Sequence, residues 1–143
     1  MYLIFGDDRV MLIDTGATSS PQLFPIGVTV QNIISTWLTE QHRQFIPLLI
    51  CHSHGHGDHS LGDNQFQHLD HVTIVSHNFL DMKSYFGFEN WPDQIVELDL
   101  GNRVLDIIPT PGHEESHIAI YDRISKILFT GDTLYPGLLV IRD

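Results

Sequence analysis

The residues best suited to chemistry lie in one short run, in which three histidines and one aspartate fall within six positions: His54, His56, Asp58 and His59. Imidazole and carboxylate together suit zinc first, with iron, manganese or nickel as alternatives. Because Cys51 is the only cysteine, a structural zinc site built from cysteines is excluded. The run therefore predicts an open metal site of the catalytic kind. The alternative is a histidine-rich surface loop that takes up metal adventitiously.

The backbone between these side chains is built to turn tightly. Gly55 and Gly57 separate the first three of these four side chains and allow sharp turns without side-chain clashes. The first two histidines can thus face one ion while the aspartate and the last histidine face another, so we expect two adjacent metal ions. The run follows the apolar residues 48–51, which indicates a loop anchored on the end of a buried strand.

Three further motifs place ligand-type residues just after apolar, strand-like runs. The triplet Asp14-Thr15-Gly16 follows an early run, and Pro111-Gly112-His113 and Gly131-Asp132-Thr133 follow two later ones. In the two later motifs a glycine stands directly beside the ligand-type residue, as in the first cluster. We therefore expect His113 and Asp132 to complete the metal site from distant parts of the chain.

These motifs, in this order, resemble the signature of the metallo-β-lactamase-fold hydrolase superfamily. The pattern is closest to its glyoxalase II-like and lactonase-like branches, and it extends from about residue 2 to residue 137. The resemblance implies an α/β fold, an αββα sandwich with its ligands on loops along one edge. It also implies that Asp14 braces the site and that Asp132 bridges two ions held by these residues: His54, His56 and His113 for the first, and Asp58, His59 and Asp132 for the second.

Two departures from the family pattern concern the C-terminal side. The family supplies one more histidine to the second ion from a later segment, whereas no histidine follows His117 here. His117 could substitute, although a histidine packed at the start of a strand is the favoured interpretation. The sequence continues only to Asp143, so we expect one domain over residues 1–143, truncated on its C-terminal side. Exposed strand edges could then allow self-association.

Other polar residues near the motifs have open interpretations. Glu114 and Glu115 could orient His113 or contact a substrate, or they could simply lie in solvent. Tyr135 could point its hydroxyl at a substrate or pack at the sandwich edge. His52 is not expected to bind the ions, because the signature begins at His54.

The chemistry expected of this site is hydrolysis by a zinc-bound hydroxide. A bound zinc ion lowers the pKa of its water from about 16 to about 7, which provides a nucleophile at neutral pH. Asp58 is the expected catalytic residue that holds and orients this nucleophile. The resemblance implies small-molecule substrates with ester, thioester, lactone, amide or phosphoester bonds, and nothing in the sequence chooses among them. The alternatives are an iron-dependent sulfur dioxygenase and a shortened, catalytically impaired metal-binding domain.

Charge and hydropathy argue against two classes of partner. The sequence has 7 basic and 18 acidic residues, which give a net charge of −11, and it contains no cluster of lysine and arginine. We therefore expect no nucleic-acid partner. The sequence contains no apolar stretch long enough to span a bilayer, and residues 1–8 do not resemble a signal peptide. We therefore expect a cytoplasmic protein without a membrane partner.

The elements that must position these residues alternate along the chain. Apolar positions recur at helical spacing over residues 28–41, which predicts a helix with one buried face. A second helix is expected over residues 78–86. Short apolar runs separated by turn residues predict eight strands, near residues 2–5, 9–13, 46–51, 72–75, 94–98, 103–109, 117–122 and 126–130.

Overall fold

The computed structural model describes residues 1–134, which form eight strands, three helices and one short 3₁₀ helix. The strands are β1 (Tyr2–Phe5), β2 (Val10–Ile13), β3 (Leu48–Cys51), β4 (Val72–Ile74), β5 (Val96–Asp99), β6 (Val104–Pro109), β7 (Ile118–Asp122) and β8 (Leu128–Phe129). The helices are α1 (Ile26–Glu40), α2 (Gly57–Ser60) and α3 (Phe79–Phe86), with the 3₁₀ helix at Leu61–Gln65. Every strand and helix expected from the sequence is present, while α2 and the 3₁₀ helix are additional. Tyr135 lies outside the described residues.

The strands form two four-stranded sheets of different construction. The first has the order β1-β2-β3-β4, with β1 antiparallel to β2 and the other two pairs parallel. Parallel neighbours need a crossover connection, and α1 provides it between β2 and β3. The second sheet, β5-β6-β7-β8, is entirely antiparallel, so short turns suffice to connect its strands.

Strand register brings four connecting loops to one edge of the two sheets. In the first sheet, Ile13 at the end of β2 pairs with Cys51 at the end of β3. In the second sheet, Pro109 at the end of β6 pairs with Ile118 at the start of β7, and the end of β8 lies beside them. The backbone N–H of Ile118 donates to the carbonyl of Ser53 at 2.8 Å, which joins the two edges.

Two apolar clusters hold these layers together. The cluster between the sheets draws side chains from both sheets, from α3 and from adjoining loops: Ile4, Met11, Ile13, Leu49, Cys51, Val75, Met82, Phe86, Phe88, Leu100, Leu105, Ile107, Ile118 and Ile120. The second cluster joins α1 and the 3₁₀ segment to the other face of the first sheet: Val10, Leu12, Ile26, Val30, Ile46, Leu48, Ile50 and Phe66. The layering of α1, the first sheet and the second sheet confirms the predicted α/β sandwich.

The outer strands of each sheet have one unpaired side within residues 1–134. These strands are β1 and β4 in the first sheet and β5 and β8 in the second. An unpaired edge offers backbone groups to another strand. Self-association through these edges therefore stays a prediction. Over the same residues, no helix combines the length and the apolar character that crossing a bilayer requires.

Candidate metal centre

Three imidazoles converge where the two sheet edges meet. His54 Nε2 lies 2.9 Å from His56 Nδ1, and His113 Nε2 lies 3.1 Å from the same atom. His54 and His56 follow β3, whereas His113 comes from the loop between β6 and β7. Their ligand atoms all lie within 4.8 Å of one another, a spacing that can hold one metal ion.

A second group shares His54 with the first and adds a carboxylate. His54, His59 and Asp132 also offer ligand atoms within 4.8 Å of one another. One oxygen of Asp132 lies 3.4 Å from His59 Nε2 and the other lies 3.7 Å from His113 Nε2. The carboxylate therefore presents one oxygen to a member of each group, an arrangement that a bridging ligand can adopt.

Asp58 is the one predicted ligand that belongs to neither group. Its carboxylate lies 3.8 Å from His59 Nε2, and its side chain is 63% exposed. The structure thus brings five of the six predicted ligands together, with Asp58 at the solvent side of the second group. Metal ligation by all six residues stays a prediction.

A buried network behind the histidines fixes the ring orientations. Asp14 Oδ2 lies 3.0 Å from His59 Nδ1, and Asp14 Oδ1 accepts a 2.8 Å hydrogen bond from the backbone N–H of Ser53. Ser53 Oγ lies 3.2 Å from Nδ1 of both His54 and His59. With each Nδ1 engaged on this side, Nε2 of each ring faces the proposed ions. A partner on the remaining nitrogen is the usual means of orienting a metal-binding histidine.

The charge states of this network suit cation binding. Burial, assisted by the neighbouring imidazoles, lowers the pKa of His54 to about 4, so this ring is neutral at neutral pH. Burial would raise the pKa of Asp14, but hydrogen bonds from His59 and Ser53 outweigh it and the pKa is lowered. Asp14 in turn raises the pKa of His59. A neutral imidazole keeps its lone pair for a metal, and the clustered nitrogens and carboxylates fit a divalent transition ion.

His117 supports the site from behind and belongs to neither ligand group. Its ring is fully buried and stacks on His54 with centroids 5.0 Å apart. Its Nε2 accepts the backbone N–H of Asp132 at 3.2 Å, and Thr110 Oγ1 lies 2.7 Å from its Nδ1. Burial, with a contribution from His113, lowers its pKa to about 4. The structure therefore places His117 as a packed histidine just before β7.

Two residues that hold the site together escaped the sequence-based expectations. Ser53 joins Asp14 to both His54 and His59, and a hydroxyl directly before a ligand-type histidine was the available signal. Thr110 fixes His117 from seven positions away, and no local pattern marks that contact. The Ser53 contacts depend on the pairing of β2 with β3 in the first sheet, and the Thr110 contact depends on the pairing of β6 with β7 in the second.

Glu114 ties two ligand-bearing loops to each other. Its Oε2 accepts the backbone N–H of Gly55 at 3.3 Å and that of Ser116 at 2.8 Å, and the Ser116 hydroxyl also donates to it. Burial would raise the pKa of Glu114, but these hydrogen bonds lower it. Glu115 beside it is exposed. Of the two adjacent carboxylates, Glu114 is therefore the one that braces the loop.

We expect Glu114→Ala to weaken metal affinity by about 10- to 100-fold, because residues that orient ligand loops have effects of this size. Zinc titration monitored by calorimetry measures the change. Glu115→Ala is the matched control and should leave affinity unchanged. Equal affinities for the two variants would contradict a bracing role for Glu114.

Gly131 allows the Asp132 loop to lie against the first sheet's loop. Its φ is +50°, and an added Cβ would sit 2.7 Å from Ser53 Cβ and 2.8 Å from His117 Nε2. We expect Gly131→Ala to cost about 2–4 kcal/mol of unfolding free energy, from overpacking and the left-handed backbone together. Urea unfolding measures this. Gly87→Ala is the control, because Gly87 also has positive φ but has open space at its Cβ. Equal losses would show that no steric conflict exists at Gly131.

The chain is similar in sequence to curated enzymes of two kinds. Human acyl-coenzyme A thioesterase MBLAC2 is 24% identical over 98% of this chain and 60% of its own length. Hydroxyacylglutathione hydrolase of Thermosynechococcus vestitus is 36% identical over 52% of this chain and 34% of its own length. This chain thus spans about 60% of the length of the relatives that it matches from end to end.

Solved structures share the fold at low sequence identity. A metallo-beta-lactamase superfamily protein from Sulfolobus tokodaii superposes with a TM-score of 0.57 and 18% identity, over 97% of this chain and 60% of its own. The B3 metallo-beta-lactamase BLEG-1 superposes with a TM-score of 0.57 and 17% identity, over 98% of this chain and 71% of its own. The family model of the Metallo-beta-lactamase superfamily matches residues 1–142. The chain therefore belongs to the metallo-beta-lactamase superfamily.

Proposed function

We propose that this protein is a metal-dependent hydrolase that cleaves the thioester bond of a small acyl substrate. The observation that carries the proposal is the position of Asp132, whose two oxygens face His59 and His113 in adjacent ligand groups. Two zinc ions suit these groups, with iron or manganese as alternatives. The thioester is the first substrate class to test because relatives that align with 98% of this chain are named acyl-coenzyme A thioesterases.

The side chains divide the work between binding and proton handling. When bound, divalent ions would supply a water activated at neutral pH and a Lewis acid for the substrate's carbonyl oxygen. His54, His56 and His113 would hold one ion, while Asp58, His59 and Asp132 would contribute to the other. The carboxylate of Asp58, at the open side of the site, would accept the proton of the attacking water.

The network behind the ligands would keep this geometry during turnover. Asp14 and Ser53 hold the rings of His54 and His59 from the buried side. Since both ring orientations are set before a substrate arrives, little reorganisation is needed at the moment of reaction. A substrate would then approach from the solvent side of the site, where the Asp58 side chain is exposed.

Metal content and substrate preference together test the proposal. We expect about two zinc ions per purified chain by elemental analysis, and hydrolysis of an acyl-coenzyme A thioester that chelation abolishes and zinc restores. An oxygen ester, a lactone and an amide with the same acyl group are the comparison substrates. A zinc-loaded chain without turnover of any of them would favour the impaired metal-binding domain. Iron together with oxygen consumption would favour the sulfur dioxygenase alternative.

A further inference from the structure

A second cluster of ligand-type side chains lies beside the metal centre but shares no residue with it. His52, Asp63 and His77 offer ligand atoms that all lie within 4.8 Å of one another. His52 follows β3, Asp63 lies in the 3₁₀ helix, and His77 precedes α3. Three separate segments of the chain therefore meet at this point.

Two of the three side chains are already held in place. His52 Nε2 lies 2.9 Å from Asp63 Oδ1, which also accepts a 2.7 Å hydrogen bond from Thr15 Oγ1. The side chains of His52 and Asp63 are 1% and 16% exposed. The carboxylate and one imidazole are thus preorganised, which reduces the entropy lost when an ion binds.

The hydrogen bonding of His52 is incomplete for a purely structural residue. Its Nδ1 is buried and has no hydrogen-bond partner among residues 1–134. Buried polar atoms are usually paired, and an unpaired one calls for an explanation such as an ion nearby. The nitrogen that faces Asp63 is Nε2, so the unpaired Nδ1 leaves the ring without the second partner that a structural histidine usually has.

The third side chain is placed to close the cluster from solvent. His77 is exposed, and its ring meets His52 edge-on with centroids 5.8 Å apart. An ion can therefore reach the cluster without passing through the protein interior. Two imidazoles and one carboxylate favour zinc, nickel or copper over magnesium or calcium, which prefer oxygen ligands.

We propose that His52, Asp63 and His77 form a separate site for a divalent transition-metal ion, which clamps the end of β3, the 3₁₀ helix and the segment before α3. Three protein ligands leave room for water to complete the coordination of the ion. The site adjoins that centre, because the Ser116 hydroxyl donates to the carbonyl of His77 at 3.4 Å. An ion here would thus steady the loop that carries Glu114 and His113.

Zinc counting with matched histidine variants tests this site. Equilibrium dialysis at a fixed free zinc concentration should show one ion fewer per chain for His77→Gln than for the unchanged protein. His68→Gln is the control, because His68 is also exposed and belongs to no ligand group among residues 1–134. Equal zinc content in the two variants would overturn the proposal. Asp63→Asn should also bind one ion fewer. His77 is the preferred position for the test because it is exposed, so its replacement should not unfold the chain.

A variant that disables the predicted centre allows zinc binding at this site to be measured separately. His54→Gln removes the residue that both ligand groups of the predicted centre share, and it leaves His52, Asp63 and His77 in place. In that background, added zinc should still raise the thermal midpoint, and His77→Gln should abolish the rise. A rise that persists in the double variant would overturn the proposal. This outcome is independent of hydrolysis, so loss of the proposed function would not mimic it.

Discussion

Replacing Asp58 by alanine is expected to lower kcat for thioester hydrolysis by about 10²- to 10⁴-fold, the range for loss of a positioned general base. Its carboxylate lies 3.8 Å from His59 Nε2 and is 63% exposed, so it can reach a water at the open side of the site. Because so little of the side chain is buried, we expect the unfolding free energy to change by less than about 0.5 kcal/mol. Steady-state kinetics measures the change in kcat, and thermal unfolding of the same preparation measures the change in stability.

The control for Asp58 is another exposed carboxylate far from the site. Asp70 precedes β4 and is exposed, so Asp70→Asn removes one negative charge without touching the ligand groups. Its activity should match that of the unchanged chain. Asp58→Asn, which keeps the shape but not the basicity, should behave like Asp58→Ala. Full activity in Asp58→Asn would rule out a proton-accepting role.

Replacing Asp122 by asparagine is expected to lower the unfolding free energy by about 3–5 kcal/mol, the usual cost of breaking a buried ion pair. The Asp122 carboxylate is fully buried and accepts a 2.6 Å hydrogen bond from Arg103 Nη2. Arg103 Nη1 donates at 2.9 Å to the carbonyl of Phe5 in the first sheet. The pair therefore links β7 to β1, and its loss leaves a cation without its counter-ion between the two sheets.

The same pair predicts a pH dependence with a definite sign. Burial would raise the pKa of Asp122, but hydrogen bonds from Arg103, Ser125 and the backbone of Ile124 hold it well below its ordinary value. A carboxyl whose pKa is lowered on folding stabilises the protein above the pKa of the unfolded chain, about 3.9. That stabilisation is lost as the pH falls through the folded pKa. The difference between the unchanged chain and Asp122→Asn should therefore be constant near neutral pH and shrink below about pH 4.

Urea unfolding of the metal-free proteins across this pH range measures the difference, since bound metal would add its own pH dependence. The control is Asp93→Asn, because Asp93 is exposed. This variant should show no comparable loss at any pH. A difference for Asp122→Asn that stays constant down to pH 2 would show that the pair does not titrate as expected.

The sequence by itself determined the elements and the identity of the candidate ligands. Apolar spacing over α1 (Ile26–Glu40) and the short apolar runs of the strands depend on local periodicity, which survives without tertiary contacts. The motifs around His54, His113 and Asp132 are also local, because each consists of glycine and polar residues that are neighbours in the sequence. These features were therefore predictable before any contact between distant residues was known.

Only the tertiary structure decided how those loops meet. The pairing of Ile13 with Cys51 and the hydrogen bond from Ile118 to Ser53 bring the edges of both sheets together, and register across strands is not encoded in any one segment. The exposure of Asp58 and the approach of His77 to Asp63 likewise follow from packing. Side chains far apart in sequence acquire their distances only when strands pair and the sheets stack, which is why their roles could not be predicted from local pattern.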